Sequence, residues 1–460
     1  MNKALYSFSI LALFLCAIFL HSSSLAAQDA PAVLPMKERA ALINELLEER
    51  LRNLLPSLMD ETNIDCWVLI SREYNEDPVL KTMLPAEWLA ARRRTILIIH
   101  KSPNTDTLGL YAVARYDVGN LFKKSWDKEK QPDQWQRTID LLKELNPKKV
   151  AINYSETYGL ADGIASTDRN EFTNYMKKNG MVNRIVSAEK LAIAWLETRT
   201  PREMAVYKHV MQIAHHIIGE GFSDEVITPG HTTTTDVEWW YRDRIRELGM
   251  VAWFHPTVDV QRAAADGAKT RSDFSKRPAA DIIMPGDLLH VDFGITYLRL
   301  NTDTQELAYV LKSGEYEAPA YLQAAFESGN AVQDHLTNAF AVGKSGNEIL
   351  KKALANSKNA GLRPSIYTHP IGYHGHAAGP AIGMWDSQGG VPGTGDYKMR
   401  PNTAYSIELN NTIFVKEWNK DVRILLEEDA FFDGDKVTYI NGRQRTLMLV
   451  PRDKGYLRQD

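Results

Sequence analysis

The chain has 460 residues, of which 44% are hydrophobic and 24% charged, with a formal net charge of -4. That length predicts two domains, or one large domain with an appendage, in a globular protein. The lack of a basic excess excludes nucleic acid or an anionic membrane as the main partner.

Lys3 precedes an apolar run from Ile10 to Leu20, and HSSSLAAQDA follows. A basic start, a short apolar stretch and small residues at Ser24 to Ala27 predict a secretory signal, residues 1–27, removed on export. The run is shorter than the ~20 residues that span a bilayer; an uncleaved anchor is the alternative. Export implies a periplasmic or secreted protein with no membrane segment after cleavage. Cys66 is then the only thiol, so no internal disulfide forms. Its setting, DCWVLI, predicts a buried strand and a packed thiol rather than a nucleophile.

From Met36, KERAALINELLEERLRNLLPSLMDE repeats apolar residues at helical steps. CWVLI, TILIIH, LGLYAV and KVAINY read as buried strands, and TIDLLKELNP as a short amphipathic helix. This alternation predicts an α/β domain over residues 37–190. Thr200-Pro201-Arg202-Glu203 marks a helix start with Pro in the first turn. Thr228-Pro229-Gly230 breaks that helix, and TTTTDVEWWYRDRIRELGM restarts it. DLLHVDFGITYLRL, YSIELNNTIFV, VRILLEEDAFF, KVTYI and TLMLV then read as strands, with a helix at EAPAYLQAAFESGNAVQDHLTNAF. Helices followed by a mainly antiparallel sheet make the second domain, residues 195–455, and the whole chain α+β.

Acids stand where the strand pattern calls for apolar residues: Asp292 in LLHVDFG, Glu408 in AYSIELN, and Glu427 with Glu428 in RILLEEDAFF. Burying a carboxylate costs several kcal/mol unless it is paired or bound to a metal. One such acid reads as a core ion pair. Three acid-interrupted strands read as a group whose natural partner is a cation. Asp303 follows Asp292 by eleven positions, which suits neighbouring strands joined by a bend around Tyr297 to Leu300. His376 lies in a Gly-rich run, YHGHAAGPAIG, where small neighbours let the backbone approach a crowded centre. Four carboxylates and an imidazole suit two divalent ions, Mn first, with Zn or Co open.

In these segments the chain resembles the pita-bread metallohydrolases, the superfamily of methionine aminopeptidase, prolidase, aminopeptidase P and creatinase. GDLLHVDFG with Asp303 resembles the strand pair carrying two Asp ligands. Gly375-His376-Ala377-Ala378-Gly379 resembles the G-H-x-x-G segment whose His binds metal. MRPNTAYSIELN and ILLEEDAFFDGD resemble the two Glu-ligand strands, with Glu428 as the alternative if the register slips by one. The resemblance implies a creatinase-like N-terminal domain before a pita-bread catalytic domain. It also implies a metal site of Asp292, Asp303, His376, Glu408 and Glu427, a homodimer, and hydrolysis of peptides at Xaa-Pro bonds with Glu408 carrying a proton.

The chain departs from that pattern in places. A His seven positions after the ligand His becomes Gly383, and the His about 17 before the first Asp becomes Ser275-Lys276. Leu409 and Asn410 replace a Pro-Gly pair. The missing histidines hold the substrate carbonyl in the family, so His369, His374 or His255 could supply that role. His215 and His216 read as helical and structural. Two other readings stand beside the enzyme: a binding or scaffold protein on the same fold, and a lyase-type relative with altered chemistry.

Overall fold

The computed structural model describes residues 31–103, 105, 107–263 and 281–451. The expected signal, residues 1–27, and Ser275-Lys276 lie outside the described residues. No helix among the described residues is long and apolar enough to cross a membrane.

The N-terminal part opens with α1 (Met36–Glu49), a π-helical turn at Arg50–Leu54 and α2 (Leu55–Glu61). The wide turn ends just before Pro56, whose ring leaves no room for an α-helical carbonyl four residues back. Six strands follow: β1 (Cys66–Arg72), β2 (Arg94–Lys101), β3 (Leu108–Ala112), β4 (Lys123–Lys124), β5 (Val150–Ile152) and β6 (Ile185–Ser187). They form one sheet in the order β4-β3-β2-β1-β5-β6. Alternate residues of β1 face two different cores. Cys66, Val68 and Ile70 pack with Trp135, Ile139 and Phe172, whereas Trp67 and Leu69 pack with Leu51, Leu55 and Trp195. Helices cover both faces, which is why the strand reads as an unbroken apolar run. These helices are α3 (Pro78–Met83), α4 (Gln134–Leu145), α5 (Ser166–Lys178) and α6 (Glu189–Glu197). Cys66 is fully buried, and burial pushes its thiol up, as expected for a packed residue.

The second part begins with α7 (Pro201–Gly221), started by a capping box between Thr200 and Glu203. Gly230 takes a positive φ of 84° at the break, and Thr233 with Asp236 caps α8 (Thr234–Glu247). Then come β7 (Val251–Ala252), β8 (Thr257–Gln261), β9 (Leu288–Phe293), β10 (Ile295–Tyr297), β11 (Leu300–Asn301) and β12 (Thr304–Val310). Two helices follow, α9 (Ala320–Thr337) and α10 (Gly346–Asn359). The chain ends in β13 (Pro364–Ile366), β14 (His369–Pro370), β15 (Thr403–Ser406), β16 (Leu409–Val415), β17 (Lys420–Leu426), β18 (Asp429–Phe432), β19 (Val437–Tyr439) and β20 (Met448–Val450).

These strands form several small sheets rather than one. Their orders are β11-β10-β7, β20-β12-β9-β8, β13-β16-β17 and β14-β15-β18-β19. Pairing is antiparallel except between β12 and β20. Asp292 lies inside β9. The other acids sit where the chain leaves one sheet for the next: Asp303 between β11 and β12, Glu408 between β15 and β16, and Glu427 with Glu428 between β17 and β18. The bend expected near residues 297–300 is a small hairpin, with Tyr297 opposite Leu300 and Leu298 and Arg299 at positive φ.

A buried ionic knot joins the two parts. Arg50, on the π turn, has no exposed surface and donates to Glu203 Oε2 at 2.6 Å and to the Thr198 carbonyl at 2.7 Å. Arg199 reaches the other Glu203 oxygen at 3.2 Å, and the Tyr373 hydroxyl donates to the same oxygen at 2.9 Å. The Arg50 guanidinium also lies over the rings of Trp195 and Tyr373. Tyr373 belongs to the segment that carries His374 and His376, so the N-terminal part braces that segment directly.

Candidate metal centre

The sheet crossings bring Asp292, Asp303, Glu408 and Glu427 together with two histidines. One ligand atom each from Asp292, Asp303 and Glu427 fits within 4.8 Å. The same holds for His369, Glu408 and Glu427, and for Asp303, His369 and His376. The groups share members, so they form one centre. Asp303, His369, Glu408 and Glu427 are each at most 6% exposed.

His369 stands in the middle. Its Nε2 is 3.5 Å from Asp303 Oδ2, 3.6 Å from Glu427 Oε1 and 4.0 Å from Glu408 Oε2. Pairing of β14 with β15 sets His369 opposite Ser406, two residues before Glu408. His376 lies beside it, with ring centres 4.6 Å apart, but is exposed and also packs edge-on against Trp253. Gly375 makes that packing possible: a Cβ there would meet the Trp253 ring at 2.4 Å.

The reading from sequence placed His376 at the centre and His369 as an auxiliary group; the geometry sets His369 closer to the acids. His374, also expected near the site, is absent from these groupings. Its segment is not a strand, and the charges that act on His374 are those of Arg199 and Lys81. His255 packs on α8, with Nδ1 3.2 Å from Arg242 and its ring against Trp239. Glu428 points away from Glu427: it accepts from the Gln444 backbone at 3.0 Å and lies 3.0 Å from His215 Nε2. His215 therefore has a structural place on α7.

Desolvation, then the neighbouring Glu427 charge, raises Asp292 to about 7 and lifts Asp303 and Glu408 well above the carboxylate range. Burial lowers His369, but the neighbouring charges of Glu427 and Glu408 outweigh it and the net shift is upward. Desolvation and the nearby His369 lower His376 to about 4. Crowded acids that resist ionisation want a cation. Two buried atoms strengthen the fit: His369 Nε2 and Asp292 Oδ1 have no hydrogen-bond partner. Hard oxygen donors plus one or two imidazoles suit Mn, Co or Zn.

Several surrounding residues escaped the sequence reading. Gln305 donates to both Glu408 and Glu427, and His290 contacts Gln305 at 2.9 Å. Both lie two positions from an expected ligand, so strand alternation placed them on the site face. Asp429 accepts from the Asp303 backbone at 3.2 Å. Tyr367 and Trp253 flank the histidines, and nothing in their local sequence marked them.

Residues 206–429, which carry every side chain of this centre, match the model of metallopeptidase family M24, and the fold is the pita-bread fold. Among solved structures, the X-Pro aminopeptidase of Thermotoga maritima is 15% identical, with a TM-score of 0.58 over 86% of this chain and 100% of that one. An Xaa-Pro dipeptidase from Bacillus anthracis is 17% identical, with a TM-score of 0.55 over 90% of this chain and 100% of its own. The N-terminal domain of the FACT complex subunit SPT16 from chickpea, Cicer arietinum, is 11% identical, with a TM-score of 0.51 over 90% and 97%. These structural likenesses show the fold alone, and it extends beyond the family-matched stretch into the N-terminal part. No curated protein matches the chain by sequence.

Proposed function

We propose that the chain is an exported metallopeptidase that removes the residue preceding proline, with two divalent ions held by Asp292, Asp303, His369, Glu408 and Glu427. The observation that carries this is the buried, partnerless His369 Nε2 facing three carboxylates. With His369 as the ligand, the His expected seven positions later is His376, and one apparent departure from the Pro-directed peptidases disappears. Bound divalent ions supply Lewis-acid polarisation of a scissile carbonyl and acidify water. In this reading His376, exposed beside His369, hydrogen-bonds the substrate carbonyl oxygen. Glu408 carries a proton from the attacking water towards the leaving amine. Trp253 and Tyr367 wall this corner and limit water around the reacting bond. Mn is the first expectation for the ions, and the family resemblance suggests a homodimer.

A scaffold protein on the same fold is the second reading, favoured by Leu409 and Asn410 in place of Pro and Gly. Elemental analysis of the mature protein after Mn supplementation, with assays on Xaa-Pro dipeptides and longer Xaa-Pro peptides, separates the two. Close to two ions per chain with release of the N-terminal residue supports the peptidase. Two ions without turnover supports the scaffold, and no ions removes the metal site.

A further inference from the structure

We propose that Gln305 is a positioning residue for the metal-binding carboxylates, locked in one amide orientation by His290. This rests on the metal-site reading above. Gln305 Nε2 donates to Glu408 Oε1 at 2.9 Å and to Glu427 Oε2 at 2.7 Å. Both amide hydrogens are thereby used, one on each carboxylate. The two remaining oxygens, Glu408 Oε2 and Glu427 Oε1, are the ones that face His369. Glu408 is thus held by one oxygen while the other is presented to the centre, and Glu427 is held by Gln305 on one oxygen and by the Ser406 hydroxyl, at 2.5 Å, on the oxygen that faces His369. Terminal carboxylate torsions are soft; without Gln305, Glu427 would keep only the Ser406 hydroxyl and Glu408 would be free to rotate away under mutual repulsion.

The orientation of Gln305 is decided from behind. Its Oε1 contacts His290 Nε2 at 2.9 Å. Because the amide nitrogen serves the acids, Oε1 must accept, so His290 Nε2 carries the proton. A flipped amide would set its oxygen against two carboxylates and its nitrogen against the His290 N–H. Asp259 Oδ2 lies 3.7 Å from the other ring nitrogen. The string crosses three adjacent strands: Asp259 on β8 is opposite His290 on β9, and Gln305 on β12 is opposite Asp292. Gln305 and His290 are 3% and 4% exposed. A buried amide and imidazole cost free energy that a leucine would not. Gln305 also supplies two donors without a positive charge, whereas a Lys or Arg there would compete with a cation for the acids.

The test uses the chelator-stripped full chain titrated with Mn(II) by calorimetry, and with Co(II) followed by its visible spectrum. Gln305→Leu should weaken Mn(II) binding about 10–100-fold and change the Co(II) band shape. His290→Phe should act in the same direction. His290→Gln, whose amide can donate to Gln305 Oε1, should restore part of the affinity. A folded Gln305→Leu protein that binds Mn(II) within about twofold of the wild type overturns the proposal, because losing a hydrogen bond that holds a metal ligand should cost more than that. If Gln305→Leu does not fold, equal Mn(II) affinity of His290→Phe and the wild type overturns it instead. A wild-type chain that binds neither ion sinks the metal-site reading itself and the role of Gln305 with it.

Discussion

His369 Nε2 faces Asp303 Oδ2 across 3.5 Å, and no hydrogen bond closes the gap. A buried ring nitrogen left in this position is a ligand atom waiting for a partner. The two histidines should therefore separate experimentally. His369→Ala should lose bound metal and, with it, turnover of Xaa-Pro peptides. His376→Ala should keep its metal and lose kcat by about 100–1000-fold, the scale of a lost oxyanion donor. Metal analysis beside kinetics checks both, and a reversed pattern would restore His376 as the ligand.

Glu427 and Glu428 are neighbours in sequence with opposite environments. Glu427→Gln should strip the centre. Glu428→Gln should leave metal content intact and cost about 1–3 kcal/mol of stability, since its contacts are structural hydrogen bonds to Gln444 and His215. Metal analysis and denaturant unfolding of the two variants distinguish the roles.

Chelation should destabilise the protein, and more so at higher pH. In the stripped protein the folded-state carboxyls, Asp292 at about 7 among them, hold protons that the unfolded chain releases near pH 4. The folded state then binds more protons than the unfolded state across this window, so stripped stability falls as pH rises from about 4 to 7. Bound cations hold the same groups ionised and remove that loss. Calorimetric Tm values with and without chelator should lie closer at pH 5 than at pH 8; a gap independent of pH would contradict the clustering.

Arg50 should matter more than its distance from the centre suggests. Arg50→Met leaves the buried Glu203 short of a partner and two carbonyl contacts unmade, for an expected cost of about 3–5 kcal/mol. Arg50→Met combined with Glu203→Gln should recover part of that cost. Chemical denaturation of the single and double variants measures the coupling.

The sequence made the acids visible because a charge in an apolar strand is costly and therefore conspicuous. Asp292, Glu408 and Glu427 stood out for that reason, and Asp303 by its spacing of eleven positions from Asp292. The helix starts at Thr200 and Thr233 were equally open to reading, because caps act locally. The histidines were not. His369 belongs to a strand of two residues, too short for any periodicity, and its inward aim comes from pairing with β15 thirty-seven positions later. His376 stood out only because glycines surround it. The division into small sheets was also hidden: a strand that changes partners part-way along looks like one continuous strand.

That division has a consequence for how this chain tolerates changes in length. Asp303, Glu408 and Glu427 sit at the crossings between sheets, so the pairings on both sides fix each of them. One residue inserted into β17 would carry Glu427 past the crossing and offer the centre the wrong side chain, even if every strand still formed. The exposed turn around Glu315, between β12 and α9, has no ligand to misplace. Length variation should collect there and be purged from the strands that meet at the acids.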